Sequence, residues 1–235
     1  MEKKVWFVTG ASKGLGLALI KQLLAAGHRV AAASKFLPAL VEAISKTPDA
    51  GFLPLEFDAA DEAALAASIR TTRETFGQIN TVVINAGYTP ADPHETAAVI
   101  RNILPWIRMQ GSGHIIGMGM PALPAKDNRY PRIHMTAVIP GASQTLFPTN
   151  QDLASTLTIP IDGKQIGDPQ KAAAALLGIG ALSEPPTRLL LASNALNLAT
   201  AKMAGLNEMI KHWETRLNRQ GLNCRIRPTQ LSPMQ

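Results

Sequence analysis

The stretch Thr9-Gly10-Ala11-Ser12-Lys13-Gly14-Leu15-Gly16 constrains the fold of this 235-residue chain more than any other, because it sets three glycines where a β-rich run, Val5–Thr9, gives way to a helical pattern, Leu15–Ala26. Glycines at such a junction let the backbone turn tightly and approach a pyrophosphate. The charge of that group is then met by free N–H groups and by the positive end of the helix. The order strand, glycine turn, helix therefore predicts a dinucleotide-binding βαβ unit, with Gly10, Ser12, Lys13, Gly14, Leu15 and Gly16 at its binding turn.

The rest of the chain continues the alternation. Strands are expected at Arg29–Ser34, Phe52–Phe57, Thr81–Asn85, His114–Met118, Ile133–Ile139 and Thr187–Leu191. Between and after them, helices are expected at Ala39–Ser45, Glu62–Phe76, Glu95–Gln110, Gln170–Leu182 and roughly Ala195–Asn218. Strands separated by helices imply a parallel sheet, here a doubly wound, Rossmann-like α/β fold. Local chemistry marks the helix limits: Asp61 suits a cap, Asp168-Pro169 opens a helix, and Gly27 and Gly77 stand just past two helix ends where a positive φ is wanted. Tyr88–Pro93, Pro121–Pro131 and Phe147–Pro160 read as proline-rich loops, residues 1–227 as one domain, and the end from Pro228 as a flexible tail.

Composition narrows the class. With 46% hydrophobic residues the chain can bury one core, and its one cysteine, Cys224, excludes an internal disulfide framework. The charged start Met1–Lys4 followed by a short apolar run into Gly10 fits neither a signal peptide nor a membrane span, so a soluble cytoplasmic protein is expected. The net charge of +6 is spread along the chain, which argues against a nucleic-acid partner. The five histidines lack metal-ligand spacing, and neither a Gly-x-Ser-x-Gly elbow nor a Walker loop is present.

The spacing Gly-x-x-x-Gly-x-Gly departs from the common Gly-x-Gly-x-x-Gly fingerprint. Together with Asp58, with Asn85-Ala86-Gly87, and with Pro140-Gly141 followed by Thr145, it resembles the short-chain dehydrogenase/reductase family. Asp162–Gln165, Gly167–Pro169 and Pro185–Leu191 are similar to a subgroup of that family, so the resemblance spans nearly the whole chain. It implies that Asp58 lies near the adenine, that the Asn85-Ala86-Gly87 turn follows the fourth strand, and that Pro140, Gly141 and Thr145 lie beside the nicotinamide. An acid about 20 residues beyond the glycines would hold the ribose of NAD. Here Ala32, Ala33, Ser34 and Lys35 occupy that place, and Lys35 with Lys13 would neutralise a 2′-phosphate, so NADP(H) is expected over NAD(H).

The resemblance also implies a hydride transfer on a small carbonyl or alcohol, served by a serine, a tyrosine and a lysine four residues later. None of these is found. Ile115–Met120 carries glycine and methionine where the hydroxyls belong, and His134 stands four residues beyond Tyr130. The family's helix between tyrosine and strand looks absent from Met120–Arg132, and Tyr88–Glu95 and Thr145–Asp162 look shortened. No catalytic residue is therefore assigned, and three readings stand: an oxidoreductase relative with weak or no turnover, a non-catalytic dinucleotide-binding regulatory module, or a truncated or engineered product. A missing crossover helix would leave the sheet uncovered near Ile115 and Val138, which predicts self-association or poor solubility.

Overall fold

Seven of the apolar runs become strands of one parallel sheet. In the computed structural model, which describes residues 3–44, 51–57, 61–85, 93–119, 129–140, 168–191, 204–205 and 207–212, they are β1 (Val5–Thr9), β2 (Arg29–Ser34), β3 (Phe52–Glu56), β4 (Thr81–Ile84), β5 (Gly113–Met118), β6 (Ile133–Pro140) and β7 (Arg188–Leu191). Their order is β3-β2-β1-β4-β5-β6-β7, with every neighbouring pair parallel. This is the doubly wound sheet that the alternation predicts. A sheet covered on both faces needs continuous apolar strands, and all five residues of β1 are buried. Pro54 is tolerated because β3 is an edge strand, where a missing N–H breaks no inner ladder.

The helices are α1 (Gly14–Ala25), α2 (Leu37–Ile44), α3 (Glu62–Phe76), α4 (Pro93–Gln110) and α5 (Pro169–Ala181). Asp61 caps α3, its carboxylate accepting from the N–H groups of Ala63 and Ala64 at 2.9 and 3.0 Å, and Gly77 ends it with φ 81°. Asp168 caps α5 by accepting from the Gln170 N–H at 2.8 Å. α4 begins two residues before the expected Glu95, since Pro93 suits a first helical position, where no N–H is needed.

Alternate strand residues face opposite layers. Trp6, Val8, Val83, Ile116 and Val138 pack with Leu19 and Leu23 of α1 and with Ala173 and Leu176 of α5. Phe7, Val82 and Ile115 pack with Ile69 of α3 and with Ile103 and Ile107 of α4. Both residues named for an uncovered sheet face are thus fully buried, Ile115 in the α4 layer and Val138 in the α5 layer. That expectation is corrected: the helices flanking the crossover supply the cover, so these two residues give no ground for self-association. Helix–sheet packing is close at Gly180, where a Cβ would stand 2.1 Å from the Trp6 ring.

The chain divides into two compact units, Met1–Ala195 and Leu196–Gln235. The first holds the sheet. In the second, residues 204–205 and 207–212 are helical, inside the helix expected at Ala195–Asn218. Among the described residues no helix is long and apolar enough to cross a membrane.

A buried polar chain locks the amino edge of β5 and β6. His114 Nε2 lies 2.8 Å from Thr136 Oγ1, and the Thr136 hydroxyl donates to the Pro186 carbonyl at 2.6 Å. That hydroxyl has one proton, so His114 must donate and carries its hydrogen on Nε2 as a neutral ring. Burial, then the nearby His134 and Lys4, push its pKa from 6.5 down to about 3. The unfolded chain therefore takes a proton near pH 6.5 that the folded one refuses until about pH 3, and stability falls as pH drops through that window while staying flat above it. The slope from this group reaches about 1.4 kcal/mol per pH unit. Urea unfolding at neutral pH and at pH ~5 checks this: the loss on acidification should be smaller in His114→Gln than in the parent, and equal losses would remove His114 from the account.

Candidate functional site

β1 and β4 are neighbours, but the chain leaves β1 toward β2 and leaves β4 toward β5, so their carboxyl ends open a crevice at the point where strand order reverses. The glycine turn enters this crevice from one side and Asn85 from the other. Gly10 (φ 63°) and Gly14 (φ 54°) take the left-handed region that other residues avoid. A Cβ on Gly10 would stand 1.9 Å from the Asn85 carbonyl oxygen, and one on Gly16 would stand 2.3 Å from the Gly10 carbonyl oxygen. No side chain fits at either place.

Hydrogen bonds hold this crossing. The Asn85 side-chain amide donates to the Gly10 carbonyl at 3.1 Å, and the Asn85 backbone N–H donates to Thr9 Oγ1 at 3.0 Å. The Ala11 N–H donates to the Ala33 carbonyl at 3.2 Å, tying the turn to β2 as well. Asn85 is therefore a positioning residue for the glycine turn. Thr9 shares that work; its side chain is buried, and only the alignment of β1 with β4 reveals its partner.

The start of α1 is built differently from those of α3 and α5. Lys13 occupies the cap position in extended backbone (φ −147°) with no side-chain cap, and the first turn holds no acid. The N–H groups there face no carboxylate of their own helix, which suits an anion. Ser12 is half-buried and Lys13 exposed, while Leu15 is buried in the core, so its side chain packs inward.

At the end of β2, Ser34 is buried and its Oγ accepts from the Phe36 N–H at 3.1 Å, shaping the turn that carries exposed Lys35. The Lys13 ammonium lies 5.8 Å from the centroid of the Phe36 ring, so the structure brings Lys13 to the Ser34–Phe36 turn. Phe36 was not among the expected site residues. An apolar residue leading into a helix reads as core, and only its 62% exposure shows otherwise. Pro140 closes β6 on the same edge of the sheet, paired with Leu191. Asp58, Ala86, Gly87, Gly141 and Thr145 lie outside the described residues.

At the carboxyl edge, β5 ends at Met118, which is buried in the core, and Gly119 follows with φ 70°, its N–H donating to the Val138 carbonyl at 2.8 Å. No side-chain hydroxyl stands at 117–119. Tyr130 precedes β6, its carbonyl accepting from the Ile133 N–H at 3.0 Å and its ring 5.4 Å from the Arg108 guanidinium. β6 is eight residues long. At roughly 3.3 Å per residue its length separates Tyr130, at the amino edge, from the crevice at the carboxyl edge. His134 is also near the amino edge, its ring 6.4 Å from that of His114. Among the described residues no His, Cys, Asp and Glu group could hold a metal ion.

A family model described as short chain dehydrogenase matches residues 4–121. The chain is 25% identical to "Oxidoreductase BOA17" of Botryotinia fuckeliana over 264 aligned positions, covering 89% of this chain and 96% of that protein. A short-chain dehydrogenase from Streptomyces avermitilis has the same fold, with a TM-score of 0.75 at 24% identity, covering 93% of this chain and 99% of its own. A short-chain dehydrogenase/reductase from Burkholderia phymatum, solved in complex with NAD, matches with a TM-score of 0.67 at 16% identity over 89% of this chain and 95% of its own.

The contact at Gly16 is directly testable. Gly16→Ala must push the Gly10 carbonyl aside and is expected to destabilise the fold by about 1–3 kcal/mol in urea. Gly178→Ala, which meets nothing within 4 Å, is expected to stabilise α5 slightly instead. Equal midpoints for the two variants would show that the turn is not closely packed.

Proposed function

The chain belongs to the short-chain dehydrogenase family, and we propose that it is an NADP(H)-binding member that holds the dinucleotide while lacking the family's usual proton-transfer groups. The family is one of oxidoreductases that use a nicotinamide dinucleotide. The observation that carries the reading is the division between the two edges of the sheet. The carboxyl edge has the Cβ-free crossing of Gly10, Gly16 and Asn85 and an uncapped α1, whereas Tyr130 belongs to the amino edge.

The residues fit the cofactor's chemistry. The α1 N–H groups and the Gly10–Gly16 turn would hold the pyrophosphate, and Lys13 with Lys35 would meet a 2′-phosphate. Ser34 shapes the turn that presents Lys35. Asp58, Ala86, Gly87, Pro140, Gly141 and Thr145 complete the proposed contacts by resemblance. When bound, the nicotinamide supplies or accepts a hydride. A proton must still move to or from the substrate oxygen, a carbonyl or an alcohol in this family, and a donor has to come within about 3 Å of it. The chain has two tyrosines, Tyr88 and Tyr130, followed four residues on by Asp92 and His134 rather than by lysine. Without that pair, general acid–base help worth about 10²–10⁴-fold is lost.

Fluorescence titration with NADPH and NADH, repeated with a panel of small ketones and aldehydes, tests the proposal. NADPH is expected to bind more tightly, Lys13→Glu to cost roughly ten- to a hundred-fold in NADPH affinity, and turnover to be absent or unaffected by Tyr130→Phe. Turnover abolished by Tyr130→Phe would overturn the assignment.

A further inference from the structure

We propose that Phe36 is a positioning residue for 2′-phosphate recognition, its exposed ring holding the Lys13 ammonium beside the turn between β2 and α2. The proposal rests on the NADP(H) reading and adds to it a residue outside the glycine turn.

The backbone of Phe36 is clamped on both sides. Its N–H donates to Ser34 Oγ at 3.1 Å, and its carbonyl accepts from the Leu40 N–H at 3.1 Å as α2 begins. The ring contributes nothing comparable to the core, being 62% exposed, while Leu40 and Ile44 of α2 supply the buried contacts. A large apolar ring held in solvent by a fixed backbone needs a partner of its own. The one the structure gives it is a cation: Lys13 Nζ lies 5.8 Å from the ring centroid, within the roughly 6 Å at which an ammonium is attracted to an aromatic face.

Lys13 and Phe36 come from different turns, and those turns are joined. The Ala11 N–H donates to the Ala33 carbonyl at 3.2 Å, so the glycine turn and the end of β2 are one hydrogen bond apart. Lys13 itself sits at the uncapped start of α1 in extended backbone. A long, flexible lysine there would ordinarily lose side-chain freedom on meeting a phosphate. An ammonium already resting near the ring has given up part of that freedom before the ligand arrives, so less is lost on binding. The effect is specific to a ligand carrying the extra phosphate, because a ribose with a free 2′-hydroxyl makes no comparable demand on the cation.

Dissociation constants for NADPH and NADH, measured by fluorescence on the full chain, provide the test for the parent, Phe36→Leu, Phe36→Tyr, Lys13→Met and the Phe36→Leu/Lys13→Met double variant. Phe36→Leu is expected to weaken NADPH about two- to five-fold, the range of an exposed cation–π contact, and to leave NADH unchanged. Phe36→Tyr should restore the parent value, and Phe36→Leu should have no further effect once Lys13 is methionine. Urea midpoints should match across the Phe36 variants because the ring is exposed, which separates a binding effect from a folding one. Equal weakening of both dinucleotides would overturn the proposal and place the ring against the adenosine they share. An unchanged NADPH affinity in Phe36→Leu, with the parent still preferring NADPH, would also overturn it and leave the NADP(H) reading standing. A parent chain with no preference for NADPH would remove that reading and the proposal together.

Discussion

The crossing of the glycine turn against the end of β4 is the contact on which the functional part of the molecule depends. Gly10 and Gly16 stack so closely on Asn85 and on each other that a single methyl would collide with a carbonyl oxygen at 1.9 or 2.3 Å. Three hydrogen bonds, from the Asn85 amide, the Asn85 N–H and the Ala11 N–H, then fasten the turn to β4, β1 and β2. Because the turn cannot move, α1 starts where the strand order reverses, and its uncapped N–H groups face the crevice. The same fastening brings Lys13 to the end of β2.

A parallel sheet gives its two edges different duties. All the carboxyl ends lie together, and there the described residues place the glycine turn, Asn85, the Ser34–Phe36 turn and Pro140. All the amino ends lie together on the opposite edge, and there the polar chain from His114 through Thr136 to Pro186 joins β5 and β6 to the segment before β7. Tyr130 packs at this second edge, against Arg108 and the α4 layer. Its place before β6 sets it apart from the crevice, and the separation follows from strand direction alone.

Much of the fold was readable because its signals are local. Alternating apolar runs, the Asp61 and Asp168 caps and the positive-φ glycines Gly27 and Gly77 depend on neighbours within a few residues, and the elements follow them closely. The glycine turn was readable for the same reason. What the sequence could not show depends on register and layering. Ile115 and Val138 looked exposed when only the crossover between β5 and β6 was considered, yet α4 just before β5 and α5 well beyond β6 cover them. The roles of Thr9, Asn85 and Phe36 likewise depend on partners in other elements, Thr9 and Asn85 on each other across 76 positions. Tyr130 could be numbered against a lysine-bearing motif, but only the strand directions say which edge it occupies.

Hydrogen–deuterium exchange with and without NADPH tests the central claim most directly, because it reports where along the chain the dinucleotide acts rather than whether it binds. Slowed exchange at Gly10–Gly16, Ser34–Phe36, around Asp58 and in the segments following β4 and β6, with the amino end of β6 near Tyr130 unchanged, is the result expected of a cofactor held at the strand-order reversal. Protection near Tyr130 and the amino edge, with the glycine turn unaffected, would contradict it.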